Sequence, residues 1–192
     1  MGTSIFEAAV DFVFSRWKLL SALNAVFFSV ALGVGLIAGF VLAPSVYYGQ
    51  PVYVFPQFLY GSVLLMFLFI FCFNLAIGAF AVVTLPGFLF FPLSAALLTL
   101  RAVLWGLILS PLPQGLFLVA LPTLVLEGEA YVLAAAVGTT VGYSWLTRPK
   151  DLTRSKAFTD TFKRDVSAYV FVILLLLTAA AVESATIMLL QM

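Results

Sequence analysis

Histidine is absent from this 192-residue sequence. That excludes Ser-His-Asp and Cys-His catalysis, histidine-ligated metal sites and haem with a histidine ligand. The one cysteine, Cys72, can neither close an internal disulfide nor build a zinc site, and within an apolar stretch it reads as a small buried hydrophobe. Charge is scarce too: Lys, Arg, Asp and Glu make up 9% of the residues, against about 25% in soluble domains. A net charge of +1, with no basic stripe interleaved with aromatics, excludes a nucleic-acid partner. Gly33-Val34-Gly35 and Gly39 lie within an apolar run with no strand before them, whereas a dinucleotide fingerprint needs a strand–turn–helix context. No enzyme, cofactor or metal site is expected.

What fills the sequence instead is apolar. Hydrophobic residues make up 64% and the mean hydropathy is +1.20. From Leu19 to Leu146 only Arg101, Glu127 and Glu129 are charged, and from Val166 onward only Glu183 is. A spanning helix needs about 20 apolar residues. Such runs cover Leu19–Leu42, Gln57–Val83, Phe91–Leu109 and Val166–Leu190. The first three are closed by Ala43-Pro44, Leu85-Pro86-Gly87 and Ser110-Pro111-Leu112-Pro113. Pro44–Pro56 carries no charge but holds Tyr47, Tyr48 and Tyr53, as a turn-rich loop at the headgroup level does.

The run from Gln114 to Leu146 has 33 residues, too many for one straight crossing. Pro122 removes a backbone donor, and Glu127-Gly128-Glu129 interrupts the apolar pattern, so a helix break at Pro122 is expected. The half-segment 114–121 then lies at the interface or is re-entrant under cover of its neighbours. The expected fold is all-α: a polytopic transmembrane helix bundle with five spanning helices, at about 19–42, 57–83, 91–109, 122–146 and 166–190, in one transmembrane domain over 19–192.

Residues 1–18 precede that domain. They do not read as a cleaved signal peptide, because Glu7 and Asp11 come before the basic pair Arg16 and Lys18. Phe6, Val10, Val13 and Trp17 recur at helical spacing, predicting an amphipathic interfacial helix over Ser4–Lys18. The other reading of this stretch is the frayed start of a long first helix. The segment Thr147–Asp165 holds six basic residues against three acidic ones. The positive-inside rule places both basic segments in the cytoplasm and the C-terminus outside, in the plasma membrane. Four crossings between the two segments agree in parity. Within the loop, Phe158 and Phe162 stand four apart, as in a short helix dipping toward lipid.

Charges inside the bilayer mark candidate sites, because each costs roughly 2.5–3.5 kcal/mol at the midplane. From Glu127 the positions +3, +7, +11 and +15 are Ala130, Ala134, Gly138 and Gly142, a stripe of small residues on one helix face. Glu127 heads that packing face, while Glu129 points elsewhere, toward headgroups or water. Glu183 falls at a similar depth, flanked by Ser184 and Thr186. Arg101 lies near the midplane, in reach of a carboxylate or of Trp105 one turn on. Asn74 is the remaining strongly polar side chain at depth. These four either form structural pairs or line a polar cavity whose carboxylate binds a proton, a cation or a cationic head group. Gly35 and Gly39 form a second small-xxx-small pattern, for packing within the bundle or for a homo-oligomer seam.

Leu121, Pro122, Glu127, Ala130, Ala134, Gly138 and Gly142 together resemble the stage II sporulation protein M family. Its most recognisable stretch reads Leu-Pro-His-Gly-x-x-Glu, followed by the same small residues in the same register. Thr123 and Leu124 replace the family's His and Gly, which removes any role that depended on them. Asn74 followed by Gly78 is family-like as well. The resemblance implies a membrane scaffold, whose sporulation members anchor cell-wall-hydrolysing partners. The leading expectation is thus an integral membrane scaffold or complex subunit working through helix packing and contact with lipid or membrane-protein partners. The alternative is a small transporter or channel with a polar cavity around Glu127 and the Pro122 break as its gate-like element.

Overall fold

A computed structural model describes residues 4–46, 59, 61–110, 114–148 and 151–191. No strand occurs among them. Helix α1 (Ile5–Ser15) opens with a reciprocal cap. The Glu7 N–H donates to Ser4 Oγ at 3.2 Å, and the Ser4 N–H donates to Glu7 Oε2 at 2.8 Å. It ends at a bend on Arg16, after which α2 (Trp17–Val46) begins. The second apolar run forms α3 (Val63–Cys72), a π-helical segment (Phe73–Thr84) and α4 (Leu85–Leu89). Then come α5 (Pro92–Leu109), α6 (Gln114–Thr147), α7 (Arg154–Asp165), a 3-10 turn (Val166–Ala168) and α8 (Tyr169–Gln191). The tyrosine-bearing loop expected at 44–56 lies outside the described residues from 47 on, as do 111–113.

Four helical stretches are long and apolar enough to cross a membrane: Trp17–Gly39, Val63–Leu89, Leu118–Thr147 and Arg154–Leu189. Helix α5 is shorter, at 18 residues. Helix α6 is the hub. Residues 130–138 are buried on every side, and α2, the π segment, α4, α5, α7 and α8 all pack on it. An apolar helix buried all round belongs at the centre of a bundle. Helix α8 lies along it, with Val172 and Leu176 in the same core as the buried α6 residues, while Ala180 and Ile187 pack with Met66 and Ile70 of α3. Outward faces are apolar, with Leu32, Leu36, Ile37 and Val41 exposed on α2 and Leu64, Leu65 and Leu68 on α3.

Several expectations need correction. The break at Pro122 does not occur: α6 runs unbroken from Gln114 to Thr147 with Pro122 inside it. A proline forfeits one backbone bond, and apolar spanning helices absorb such a loss when the flanking turns are held in place. Nor does Gly128 interrupt the helix. It makes room for α2, since a Cβ there would lie 2.8 Å from Phe27 Cε1 and 2.9 Å from Phe28 Cζ. Helix α4 carries the second run past Val83 to Leu89, accommodating Pro86 in its first turn. Cys72 is exposed on the outside of the bundle, because the inward stripe of its helix is held by Met66 and Ile70. Phe158 and Phe162 face protein, stacked 6.1 Å apart and each edge-on to Phe88, at 5.7 and 5.8 Å. Phe88 is buried and offers aromatic edges that lipid cannot.

Helix α1 is a separate element rather than the start of α2. Its buried residues Ala9 and Phe12 face inward, and the helix packs on the 3-10 turn, α7 and α8. Ile5, Phe14 and Trp17 stay exposed. One end of the bundle therefore gathers α1, α7 and most of the basic residues.

Candidate functional site

The π segment places the first polar group. An α-helix repeats every 3.6 residues, but the inward residues here are Asn74, Gly78, Ala79, Val83 and Thr84, which repeat every four to five. That is the wider period of i→i+5 bonding, and π turns are frequent at functional sites. The widened register keeps Asn74 and Gly78 facing α6 and α5.

Asn74 Nδ2 donates to Glu127 Oε1 at 2.6 Å, and Glu127 is 6% exposed. Arg101 Nη2 reaches Asn74 Oδ1 at 3.5 Å and donates to the Tyr131 hydroxyl. The guanidinium carbon sits 3.8 Å from the Tyr131 ring centroid. Three elements are thus tied by a relay, Glu127–Asn74–Arg101–Tyr131. Gly78 leaves it space: a Cβ there would lie 3.0 Å from the Tyr131 hydroxyl and 3.2 Å from Arg101 Nη2. Buried polar groups this deep persist only when they bond one another. Arg101 Nε is buried without a hydrogen-bond partner among the described residues.

The expected Arg101–glutamate pair is therefore not direct; Asn74 stands between the charges. Arg101 also lies on Tyr131 rather than Trp105, because a phenol offers an acceptor oxygen as well as a ring face, whereas an indole offers only a donor. Trp105 packs edge-on against both Tyr131 (6.3 Å) and Phe27 (5.7 Å). Glu183 of α8 is half-buried within electrostatic range of Glu127 and makes no hydrogen bond among the described residues. Glu129 does not turn to headgroups or water. It is half-buried and accepts from Asn24 Nδ2 of α2 at 3.1 Å.

The small stripe forms a seam against the second apolar stretch. A Cβ on Gly138 would stand 2.7 Å from the Thr84 carbonyl oxygen, and one on Gly87 would stand 2.8 Å from Gly138 C. Ala130 and Ala134 are fully buried above them. This proximity lets Thr84 Oγ1 donate to the Ala134 carbonyl at 2.8 Å, and the Thr84 and Tyr169 hydroxyls share a bond at 2.6 Å. Ser94 Oγ closes the seam by donating to the Val83 carbonyl at 2.7 Å. Gly35 meets Gly106 of α5, whose Cβ would lie 2.8 Å from Val34 Cβ; a Cβ on Gly39 would lie 3.8 Å from the Ser110 carbonyl oxygen. Both glycines of the α2 motif thus face α5 within the chain.

Sequence reasoning missed Tyr131, Asn24, Gly87 and Gly106. Tyr131 was in sight, one turn from Glu127 on the same face. Gly106 carried no pattern of its own.

A polytopic helical membrane protein wrapped around one buried central helix, with a polar relay at depth, is the class that this arrangement defines. Residues 25–186, most of the chain, match the family model described as Stage II sporulation protein M, and the chain belongs to that family. No curated protein and no solved structure matches it.

Proposed function

We propose that the protein is a non-enzymatic scaffold or complex subunit of the plasma membrane, working through helix packing and contact with lipid or membrane-protein partners. The Asn74–Glu127 bond carries this reading, because it commits the deepest carboxylate to holding two helices together rather than to a ligand. Arg101, committed to Asn74 and Tyr131, adds the third helix. The exposed apolar faces of α2 and α3 are the surfaces left for lipid and partners, a second copy of the chain included. In this proposal α5 completes five crossings, with the N-terminus and the basic Thr147–Asp165 segment cytoplasmic and the C-terminus outside. The concentration of Arg and Lys in those two segments supports that orientation.

A second reading, a small transporter or channel, draws on Glu183. Glu127 and Glu183 lie within electrostatic range of each other with Arg101 as their shared cation, and two carboxyl groups so placed can hold a proton or a cation between them. Glu127→Gln in proteoliposomes separates the two. Abolition of ion- or proton-dependent flux overturns the scaffold. A change confined to stability, or to the recovery of partners, overturns the transporter.

A further inference from the structure

At the basic end, α6, α7 and the bend between α1 and α2 border an open cavity of about 340 Å³. Three guanidinium groups line it from three separate elements: Arg16 at the bend, Arg148 beyond the end of α6, and Arg164 in the last turn of α7. Hydroxyl-bearing Tyr143 and Ser144 line it as well, and Asp160 is the one carboxylate in the lining. The volume sits at the small end of the range for ligand sites, about 300–1,000 Å³.

We propose that this cavity binds the phosphate group of an anionic phospholipid. Arg164 is balanced by Asp165, so Arg16 and Arg148 bring the positive charge that an anion would neutralise, and guanidinium forks fit phosphate oxygens. Each arginine is held in place by means that leave donors free. Arg16 makes no side-chain hydrogen bond among the described residues, while its backbone N–H bonds the Phe12 carbonyl at 3.0 Å and its carbonyl accepts from the Leu20 N–H at 3.0 Å. Arg148 Nη1 donates to the Leu152 carbonyl at 2.6 Å, which aims the rest of its fork. Arg164 donates from Nε and Nη2 to the buried Asp165 carboxylate, at 2.6 and 3.3 Å, and those hydrogen bonds hold its pKa above the ordinary value. Neither Arg16 nor Arg148 forms an ion pair among the described residues.

The surroundings select a lipid over a soluble anion. Trp17 follows Arg16 in sequence, and Trp145 and Leu146 follow the lining residue Ser144; all three are exposed. Indoles favour the membrane–water interface, and basic pockets between spanning helices there take anionic head groups. The site stands whether the bundle scaffolds or transports.

The test is thermal unfolding of the full-length protein in detergent, titrated with phosphatidylglycerol, with phosphatidylcholine or with inorganic phosphate. Phosphatidylglycerol should raise the midpoint and phosphatidylcholine should not. Arg16→Gln should weaken the apparent affinity about fivefold, with Arg16→Lys keeping most of it. Asp160→Asn should tighten it, a change that misfolding does not produce. Equal responses to the two lipids, or an Arg16→Gln protein with unaltered affinity, overturn the proposal. Inorganic phosphate stabilising as strongly as phosphatidylglycerol overturns the lipid as the source and assigns the cavity to a free phosphate.

Discussion

Gly142 and Gly87 meet backbone to backbone: a Cβ on Gly142 would strike the Gly87 carbonyl oxygen and stand 3.1 Å from Phe91 Cα. The obstacle is main chain, not the tip of a side chain that can swing aside, so Gly142→Ala must push α4 off α6. Overpacking of this kind costs about 1–3 kcal/mol. Gly33 provides the control, because a Cβ there meets nothing within 4 Å. Thermal unfolding in detergent should place Gly142→Ala several degrees below the parent. Gly33→Ala should match or exceed it, since alanine is favoured over glycine in a helix by about 1 kcal/mol.

Asn74 and Glu127 make an unequal pair. Asn74→Ala leaves a buried carboxyl group without its partner, and an unsatisfied buried polar group costs about 1–3 kcal/mol. Glu127→Gln keeps the side chain's shape and an oxygen able to accept from Asn74 Nδ2. Asn74→Ala should therefore be the less stable variant by a clear margin in thermal or denaturant unfolding. The reverse order would detach the bundle's stability from this bond.

How much of this was legible depends on sequence distance. The small stripe from Ala130 to Gly142 was readable because its spacing repeats within one helix. Its partner was not, since Gly87 follows a π segment whose wider period defeats a count by 3.6. Glu127 could be placed on the buried face from its own helix alone. Asn24 could not be matched to Glu129, because the two are 105 residues apart and nothing local marks them. Pro122 misled for a physical reason: one lost backbone bond weighs heavily in an isolated helix and lightly in a long one whose next turns, at Thr123 and Glu127, are buried against neighbours.

The basic segment is held to the bundle by aromatic contacts. Phe158 touches Phe88, Phe162 and Trp145, with ring centroids 5.7, 6.1 and 5.8 Å apart. Phe162 lies in α7 itself, so Phe158→Ala removes the two contacts that reach α4 and α6 and should loosen α7, at about 0.5–1.5 kcal/mol per aromatic pair. Trypsin should then cut faster around Arg154 and Lys156, while spanning residues stay protected. An unchanged cleavage rate would mean that α7 is held by something other than this cluster.

Helix α5 decides the topology. Its 18 residues rise about 27 Å at about 1.5 Å each, close to the roughly 30 Å hydrocarbon core. If it crosses, Arg16 and Lys18 share a side with the Thr147–Asp165 segment, as the positive-inside rule requires. Arg16 lines one cavity with Arg148 and Arg164, so the fold itself holds both basic segments at one end of the bundle, which an even number of crossings between them requires. Cys72 is the sole cysteine, so Cys72→Ala gives a clean background for Lys156→Cys and Gln191→Cys. A membrane-impermeant maleimide on intact cells should label Gln191→Cys alone, and both after permeabilisation. The final crossing runs between positions 156 and 191 whatever α5 does, so labelling of Lys156→Cys alone would mean that the whole bundle is inverted, with its basic end outside.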